Sequence, residues 1–218
     1  ADDFLLGFIG SKAEAEAIME EVKGFLQNAL RLECSEEKTK IVHHSKGVIF
    51  LGYKLATKDL KANAERARWV NPKKKMRTRT STGITLRIPE EKVRDFVKRK
   101  RYGNLNNRRD WESLHRAELM NNSDYEILAQ YKAEVRGFAE YYKLAGNYYK
   151  GLGLLHYIAQ TSLVKTLAHK HKVSVAKIYQ RYIDGEDKRL TVVDGKYRKE
   201  WFKLKDINRK AKTKGVDE

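Results

Sequence analysis

The chain has 218 residues, a net charge of +17 and a single cysteine. Its apolar fraction of 41% is enough for a folded core, which excludes a disordered polybasic tail. One cysteine excludes a disulfide framework and a zinc ribbon. The sequence contains no run of 18 apolar residues, so it predicts no membrane-spanning segment. We therefore expect a protein that is not secreted and not membrane-bound, with room for one domain or two small ones.

Charge is distributed unevenly along the chain. Residues 1–60 carry 8 Lys/Arg against 10 Asp/Glu, whereas residues 61–218 carry 38 against 19. A segment with this excess of cations attracts polyanions, and its basic residues recur beside aromatic ones, as nucleic-acid surfaces require. A solvated surface that serves only solubility is the alternative. The basic segments lack a wide apolar face, which disfavours binding to a membrane surface.

Residues 1–88 have the pattern of strands mixed with one helix. The apolar run at residues 4–9 predicts a buried strand. Ser11 and Glu14 form a capping box, which predicts a helix that ends near Arg31. Further strands are predicted where apolar and β-branched residues lie between turn signals: 40–43, 48–55, 67–70, 75–80 and 84–88.

The rest of the chain is predicted to be mostly helical. Helices separated by polar or glycine-containing connectors are predicted at 89–101, 111–120, 123–149, 154–172 and 175–183. A second capping box at residues 123–126 supports the third of these helices. The segment 189–204 predicts a hairpin with a type I′ turn at Asp194-Gly195. The composition changes near residues 86–90, where we expect a domain boundary.

Asp2 and Asp3 are adjacent carboxylates directly before the first predicted strand. A rigid strand end can present both near one metal site, and phosphoryl transfer with two magnesium ions needs hard oxygen ligands. An acidic turn or a solubilising pair is the alternative that these two residues alone leave open.

Three short motifs occur in the order that reverse transcriptases show. Residues 1–4 (Ala-Asp-Asp-Phe) resemble the end of the catalytic motif of that family, and residues 30–39 look like the following block, which ends in Lys-Thr. The third motif is similar to the primer-grip block and consists of Phe50, Leu51, Gly52 and Tyr53. This resemblance covers residues 1–55 and implies the C-terminal part of a polymerase palm.

The resemblance to reverse transcriptases also implies roles for single residues. Asp2 and Asp3 would be catalytic ligands of Mg²⁺, and Lys38 would stabilise charge on the leaving pyrophosphate. Gly52 would let the backbone approach a primer phosphate, although a glycine here also fits a bulge in a strand. The third carboxylate of the family and the fingers are not in this sequence. We therefore expect that this chain alone does not copy RNA into DNA.

Residues 125–147 resemble the maturase domain, called domain X, of group II intron-encoded proteins. The matching residues are Tyr125, Glu126, Ile127, Tyr131, Glu134, Val135, Arg136, Gly137, Tyr141, Tyr142, Ala145 and Asn147. The resemblance extends to about residue 183 and implies a helical thumb that grips intron RNA and the RNA template–DNA primer duplex. Residues 184–218 look like the start of a basic region that binds target DNA. The paired Cys/His cluster of a zinc-dependent nuclease is absent from the sequence.

The implied fold is α+β. It comprises a C-terminal palm segment at 1–88, with antiparallel strands and one helix, and a mostly α-helical thumb bundle at 89–183. A basic hairpin and tail follow at 184–218. The remaining palm and fingers would belong to the parent protein.

Basic clusters and two domain X residues are the candidate nucleic-acid contacts. They are Lys73, Lys74, Lys75, Arg77, Arg79, Lys98, Arg99, Arg101, Arg108, Arg109, Arg136, Asn147 and Lys165. Each cation on a phosphate releases counterions, so the affinity should fall steeply with salt. On a helix, Lys98 and Arg101 would share a face, whereas Arg99 would point in another direction. The basic residues at 98–101 would therefore line a nucleic-acid groove only together with neighbouring residues.

Four tyrosines, two histidines and the cysteine have simpler explanations than ligand binding. The tyrosines at 141, 142, 148 and 149 can stack on bases, but their spacing is more typical of a helical core. His43 and His44 lie on a predicted strand, where neighbours point to opposite faces, which disfavours a joint metal site. Cys34 is expected to be packed.

Two functions follow from these observations. The first is a portion of a group II intron reverse transcriptase/maturase, with RNA-templated DNA synthesis and intron RNA binding for splicing and mobility. The second is a non-catalytic RNA-binding maturase module that assists splicing. The domain X motif argues against a third, a non-LTR-type or bacterial defence reverse transcriptase. Either function is expected in the bacterial cytoplasm or in an organelle.

Overall fold

The computed structural model describes residues 3–57, 84–107, 109–184 and 188–209, and every structural statement below concerns these residues. The chain divides into two compact units, residues 1–85 and 86–218. Helices and small antiparallel sheets occur together, which confirms the predicted α+β class. None of the described helices has the length and apolarity that crossing a membrane requires.

The first unit contains one long helix and a small sheet. Its elements are α1 (Lys12–Leu30), β1 (Val48–Phe50), β2 (Tyr53–Thr57) and β3 (Ile84–Arg87), the last of which spans the boundary between the units. The predicted capping box of α1 is confirmed, because Glu14 N–H donates to Ser11 Oγ at 3.3 Å and Ser11 N–H donates to Glu14 Oε2 at 2.7 Å. The helix nevertheless buries none of its side chains.

Two predicted strands of the first unit are wrong. Residues 4–9 form no strand, and they are exposed although they are apolar. A strand needs a hydrogen-bonded neighbour, and the described sheets offer residues 4–9 none. Residues 40–43 form no strand either, and a turn follows at 44–46. This turn lies between the segments 40–43 and 48–55, where the sequence predicts a turn signal.

The predicted strand at 48–55 is a hairpin. β1 and β2 pair antiparallel, with Phe50 opposite Tyr53, so that Leu51 and Gly52 form a two-residue turn. Their φ angles of 46° and 75° are both positive, as a type I′ turn requires. The sequence pattern did not predict this turn, because the apolar residues continue through it and leucine rarely adopts the left-handed conformation. The strands at 67–70 and 75–80 lie outside the described residues.

The second unit is built around one long helix. Its elements are α2 (Glu90–Arg99), β4 (Gly103–Leu105), β5 (Trp111–Ser113), α3 (Asp124–Tyr141), α4 (Tyr148–His171), α5 (Val175–Tyr182), β6 (Ile183–Asp184), β7 (Arg189–Asp194) and β8 (Tyr197–Glu200), with 3₁₀ turns at Ala117–Leu119 and Leu204–Asp206. α4 packs against α2, α3 and α5. Its apolar residues Leu152, Leu155 and Ile158 are fully buried, so α4 forms the centre of the core.

The break between α3 and α4 lies earlier than the sequence predicts. The sequence predicts one helix through residue 149 and a break at Gly151 and Gly153, but both glycines lie inside α4. The break is at residues 142–147, and Gly146 N–H donates to Leu86 O at 2.8 Å there. Tertiary hydrogen bonds thus place the break, and local helix propensity does not.

A second hairpin occurs where the sequence predicts a polar connector and a short helix at 111–120. β4 and β5 pair antiparallel, with Gly103 opposite Ser113. Gly103 has a φ of 149°, and a Cβ there would lie 1.8 Å from Glu112 O. Only glycine permits this approach of two backbones, so the prediction of a helix over 111–120 is wrong except for the 3₁₀ turn.

The predicted hairpin at 189–204 is confirmed as β7 and β8, but its turn type is wrong. The register pairs Asp194 with Tyr197, so Gly195 and Lys196 are the central residues. Gly195 has a φ of 56°, and Lys196 is not in the left-handed region. One positive φ, at the first central residue, fits a type II′ turn. β6 adds a third strand that pairs with β7.

Candidate nucleic-acid interface

Glu134 of α3 is the acceptor at the centre of a hydrogen-bond network. Its Oε2 accepts from Tyr102 OH at 2.6 Å and from Arg116 Nη1 at 2.9 Å. Its Oε1 accepts from Gln130 Nε2 at 2.7 Å and from Lys100 Nζ at 3.1 Å. The donors come from the end of α2, the segments that flank the β4–β5 hairpin, and α3 itself. One carboxylate therefore joins three parts of the second unit.

The charges in this network are buried and paired. The Glu134 and Arg116 side chains are only 7% and 10% exposed. Burial raises the pKa of Glu134, but the hydrogen bonds from Tyr102 and Gln130 and the Arg116 charge lower that pKa below its ordinary value. The Arg116 guanidinium also lies over the Tyr131 ring, at 5.2 Å from the centroid. Glu134 and Arg116 therefore position the helices and do not present charge to a ligand.

Asp124 forms a second network at the start of α3. Its Oδ1 lies 2.8 Å from Lys170 Nζ and its Oδ2 lies 2.7 Å from His171 Nε2, while Tyr182 OH donates to Oδ2. Burial raises the pKa of Asp124, but the hydrogen bonds from Lys170, Tyr182 and His171 lower it below its ordinary value. This carboxylate thus fixes the end of α4 and the end of α5 against α3.

The predicted basic cluster at the end of α2 is exposed. Lys98, Arg99 and Arg101 are all open to solvent, and the Arg99 guanidinium lies 5.8 Å from the centroid of the Phe96 ring. α2 ends at Arg99, and Arg101 has a φ of 54°. The expectation that Lys98 and Arg101 share a helix face is therefore wrong, because Arg101 follows the helix in a left-handed turn.

The remaining described candidates fall into two groups. Arg109 is exposed in the β4–β5 loop, and Arg136 is exposed on α3, 3.6 Å from Glu140. By contrast, Lys165 Nζ donates to Ser113 O at 2.6 Å and is half-buried. Direct contacts of these side chains with nucleic acid stay predictions.

Asn147 joins the α3–α4 connection to the residue before Pro89. Its Oδ1 accepts from Ile88 N–H at 2.8 Å, and its Nδ2 donates to Ile88 O at 3.2 Å. The side-chain amide thus pairs with a backbone as a neighbouring strand would. The structure gives Asn147 this positioning role, and its predicted contact with nucleic acid stays a prediction.

The palm-like motif residues are only partly described. Seven candidates lie outside the described residues: Asp2, Lys73, Lys74, Lys75, Arg77, Arg79 and Arg108. Asp3 and Lys38 are exposed, one before and one after α1. Within the described part of the chain, no three His, Cys, Asp or Glu side chains are placed to hold a metal ion. The described residues thus do not by themselves fit a Mg²⁺ site, and we derive no catalytic step from them.

The primer-grip-like tetrapeptide forms the tip of the β1–β2 hairpin. Phe50 and Tyr53 are the paired residues that flank the turn, and Leu51 and Gly52 are the turn itself. A primer-gripping role for Phe50, Leu51, Gly52 and Tyr53 stays a prediction.

The four tyrosines near the α3–α4 connection divide equally between core and surface. Tyr142 and Tyr148 are buried, whereas Tyr141 and Tyr149 are exposed. Arg209 lies over Tyr148 and Tyr149, at 4.6 and 5.3 Å from their ring centroids. A core role is therefore confirmed for two of them.

Sequence reasoning missed Glu134 and Arg116 as partners, as well as an aromatic pair in which one ring is exposed and the other half-buried. Trp111 of β5 and Tyr157 of α4 meet edge to face, with ring centroids 5.4 Å apart. Helical spacing on α4 would have indicated the exposed position of Tyr157, one turn after Gly153. No local pattern indicates the pairing of Arg116 with a carboxylate on another element.

Known proteins resemble this chain over most of its length. Residues 81–218 match the family described as type II intron maturase. The chain is 35% identical over 187 residues to the group II intron-encoded protein LtrA of Lactococcus lactis subsp. cremoris, which covers 85% of this chain and 30% of the relative. It is 25% identical over 180 residues to nuclear intron maturase 1, mitochondrial, of Arabidopsis thaliana, covering 81% of this chain and 24% of that protein.

A further relative matches less of the chain at higher identity. Protein YkfC of Escherichia coli K12 is 43% identical over 97 residues, which is 44% of this chain and 21% of that protein. The chain thus spans less than a third of the length of each of these relatives. The resemblance to group II intron-encoded maturases inferred from the motifs is confirmed, and the chain belongs to the type II intron maturase family.

Proposed function

We propose that the second unit of this chain binds group II intron RNA and assists splicing as a maturase module. One observation carries this proposal. The residues that match the maturase family, 81–218, lie within the strongly basic part of the chain, 61–218. The alternative of a surface tuned only for solubility does not account for this family match.

The placement of charges in the second unit supports the proposal. Glu134 and Asp124, two carboxylates that the described part of this unit largely buries, are neutralised by cations inside the unit. The α2 cluster of Lys98, Arg99 and Arg101 remains exposed. Cations without a buried carboxylate partner are available to replace the counterions of RNA phosphates, which is the main source of affinity for nucleic acid.

A salt titration tests the proposal. Filter binding of the full chain to a transcribed group II intron RNA should weaken steeply between about 50 and 300 mM salt. The triple variant K98A/R99A/R101A should bind more weakly and have a shallower slope, by about 0.7–0.9 for each phosphate that is no longer neutralised. The matched control is K12A/K40A/K46A, which removes the same charge from exposed positions of the first unit. Equal weakening in both triple variants would show that only net charge matters and would contradict the proposal.

We also propose that the whole protein copies an RNA template onto a DNA primer with Mg²⁺. Residues 1–88 would be the end of its palm and 89–183 its thumb, with Asp2 and Asp3 as metal ligands. Lys38 would act on the leaving group, and target DNA would bind to the basic end of the chain. The motif resemblance supports this proposal, and the described residues supply no complete metal site. The relatives include bacterial proteins and one named as mitochondrial, which fits a bacterial or organellar location.

Primer extension with Mg²⁺ tests the polymerase proposal. A version extended upstream to the length of the relatives should incorporate nucleotides, and its Asp2→Ala variant should not. We expect no incorporation by the 218-residue chain. Incorporation by this chain that disappears in Asp2→Ala would overturn the expectation that further palm residues are needed.

A further inference from the structure

Trp111 and Tyr157 lie on a surface that combines aromatic side chains with an open helix backbone. β5 packs against α4, with the Trp111 and Tyr157 rings at an interplanar angle of 88°. We call Trp111, Gly153 and Tyr157 the Tyr157 surface.

Tyr157 contributes little to the fold for an aromatic residue at the middle of a core helix. Its side chain is 55% exposed. Its hydroxyl makes no hydrogen bond to any residue that the structure describes. Besides the bonds of the helix, its backbone carbonyl accepts from Thr161 Oγ1 at 2.9 Å. In the edge-to-face contact with Trp111, the edge of one ring meets one face of the other, so Trp111 covers at most one face of the Tyr157 ring. An exposed aromatic face of this kind is available for stacking.

Gly153 lies one turn before Tyr157 on the exposed side of α4. A Cβ at this position would meet nothing within 4 Å, so packing inside the protein does not require glycine. Glycine in a helix interior is less favourable than alanine. Gly151 differs, because a Cβ there would lie 3.1 Å from Ile88 Cδ1. Gly153 therefore leaves the α4 backbone open on its exposed side, where a molecule outside the protein can approach it closely.

We infer that the Tyr157 surface stacks an unpaired base of the bound RNA, with the sugar–phosphate backbone passing over Gly153. The inference rests on the proposed RNA binding and adds the form of RNA that this face recognises. Charge complementarity favours RNA over an apolar protein segment, because residues 61–218 carry twice as many cations as anions. Bases in loops and bulges are free to stack on aromatic side chains, whereas bases inside a duplex are not.

A pair of RNA probes tests the inference. One probe is a hairpin with a loop of unpaired bases that contains 2-aminopurine, and the other is a fully paired duplex of the same number of phosphates. Tyr157→Ala should lower the affinity for the hairpin roughly tenfold, in line with the ~1–3 kcal/mol of a base stack. It should leave the duplex affinity and the salt slope unchanged. Tyr157→Phe should retain both the affinity and the quenching of 2-aminopurine fluorescence.

A control tyrosine separates stacking at this surface from a general decrease in aromatic surface. Tyr197 of β8 is 58% exposed, close to the value for Tyr157. Tyr197→Ala should leave the hairpin affinity unchanged. Equal weakening in Tyr157→Ala and Tyr197→Ala, or no weakening in Tyr157→Ala, would overturn the inference. Circular dichroism establishes that each variant is folded.

Gly153→Ala gives a test in which stability and binding change in opposite directions. The variant should melt at a higher temperature than the parent chain, and it should bind the hairpin several-fold more weakly. Gly24→Ala in α1 is the matched control, since a Cβ there also meets nothing within 4 Å. It should leave hairpin affinity unchanged. Unchanged or tighter binding by Gly153→Ala would contradict the close approach of RNA to α4.

The outcomes distinguish this inference from the proposed function. If the parent chain binds intron RNA with a steep salt slope but Tyr157→Ala behaves like the parent, only the inference fails. If the parent chain binds no RNA, both fail. If Tyr157→Ala changes the association state of the chain and leaves RNA binding intact, the surface docks a protein and the inference is overturned.

Discussion

At Glu134, four donors from three parts of the chain meet one carboxylate. The net free energy of a buried ion pair is small, because desolvation offsets most of the attraction. Removal of one partner is different, since the other charge is then left buried and unpaired. Glu134 and Arg116 are therefore residues whose removal destabilises the protein by more than their pairing stabilises it.

Glu134→Ala should lower the free energy of unfolding by roughly 3 kcal/mol, because Arg116 stays buried and loses its buried carboxylate partner. It keeps only the more exposed carboxylate of Glu118, 3.0 Å from its Nε. Urea denaturation followed by circular dichroism measures this decrease. The control is Glu140→Ala, which removes an exposed partner 3.6 Å from Arg136 and should cost less than about 0.5 kcal/mol. A similar decrease in both variants would show that the buried network has no special role.

His156 gives the second unit a pH dependence of predictable sign. Its Nε2–H donates to Phe202 O at 2.7 Å, and burial lowers its pKa below the ordinary value of 6.5. In the unfolded chain the His156 ring binds a second proton as the pH falls below about 6.5, whereas in the folded chain it does so only at a lower pH. The contribution of His156 to stability is therefore present at a pH of about 7.5 and falls toward about 5.5.

The free energy of unfolding should decrease between a pH of about 7.5 and about 5.5 by more in the parent chain than in His156→Gln. Glutamine keeps a side-chain N–H donor but does not titrate, and the other histidines are the same in both proteins. Urea denaturation at the two pH values gives both differences. Identical pH dependence in the two proteins would exclude His156 as its source.

At the scale of elements, close backbone contacts decide where strands and breaks occur. The β4–β5 hairpin depends on Gly103, whose missing side chain lets Glu112 O approach. The break between α3 and α4 depends on Asn147 and on Gly146, which bond to Ile88 and Leu86. Neither contact follows from the residues of the element itself.

Gly103→Ala should destabilise the second unit by more than about 3 kcal/mol, through the clash with Glu112 O and the strained backbone together. Thermal melting measures the effect. Gly137→Ala on α3 is the control, because a Cβ there meets nothing within 4 Å and should raise stability by up to about 1 kcal/mol. A mild effect of Gly103→Ala would mean that β4 and β5 are not held at this distance.

At the scale of the whole chain, the two units differ in how much apolar surface they bury. α1 buries none of its side chains, whereas α4 has eleven buried residues. Local opening requires less free energy where it exposes little apolar surface, so the units should differ in stability.

Hydrogen exchange followed by mass spectrometry should therefore show fast exchange in peptides from 12–30. Peptides from 152–168 should exchange orders of magnitude more slowly, because their opening exposes the core of the second unit. Peptides from α2, on the edge of that core, provide an intermediate reference. Equal protection of α1 and α4 would contradict the difference in burial.

Local patterns predicted much of this fold. Capping boxes at Ser11 and Ser123 fixed the starts of α1 and α3, and the turn residues near Gly195 indicated the last hairpin. Long-range contacts decided the rest, including the Gly103–Glu112 approach and the break at Asn147. The exposed basic residues of α2 were predictable from sequence, whereas the surface around Tyr157 required the packing of β5 on α4.

Asn147 has a consequence for how this sequence can diverge. Its side chain bonds to the main chain of residue 88, and every amino acid except proline offers the same N–H and carbonyl oxygen there. Substitution of Ile88 by another apolar residue therefore preserves the pairing, whereas few side chains other than asparagine supply a donor and an acceptor at this reach. Lineages that diverged in the residue at 88 would keep the same helix break for as long as position 147 stayed an amide.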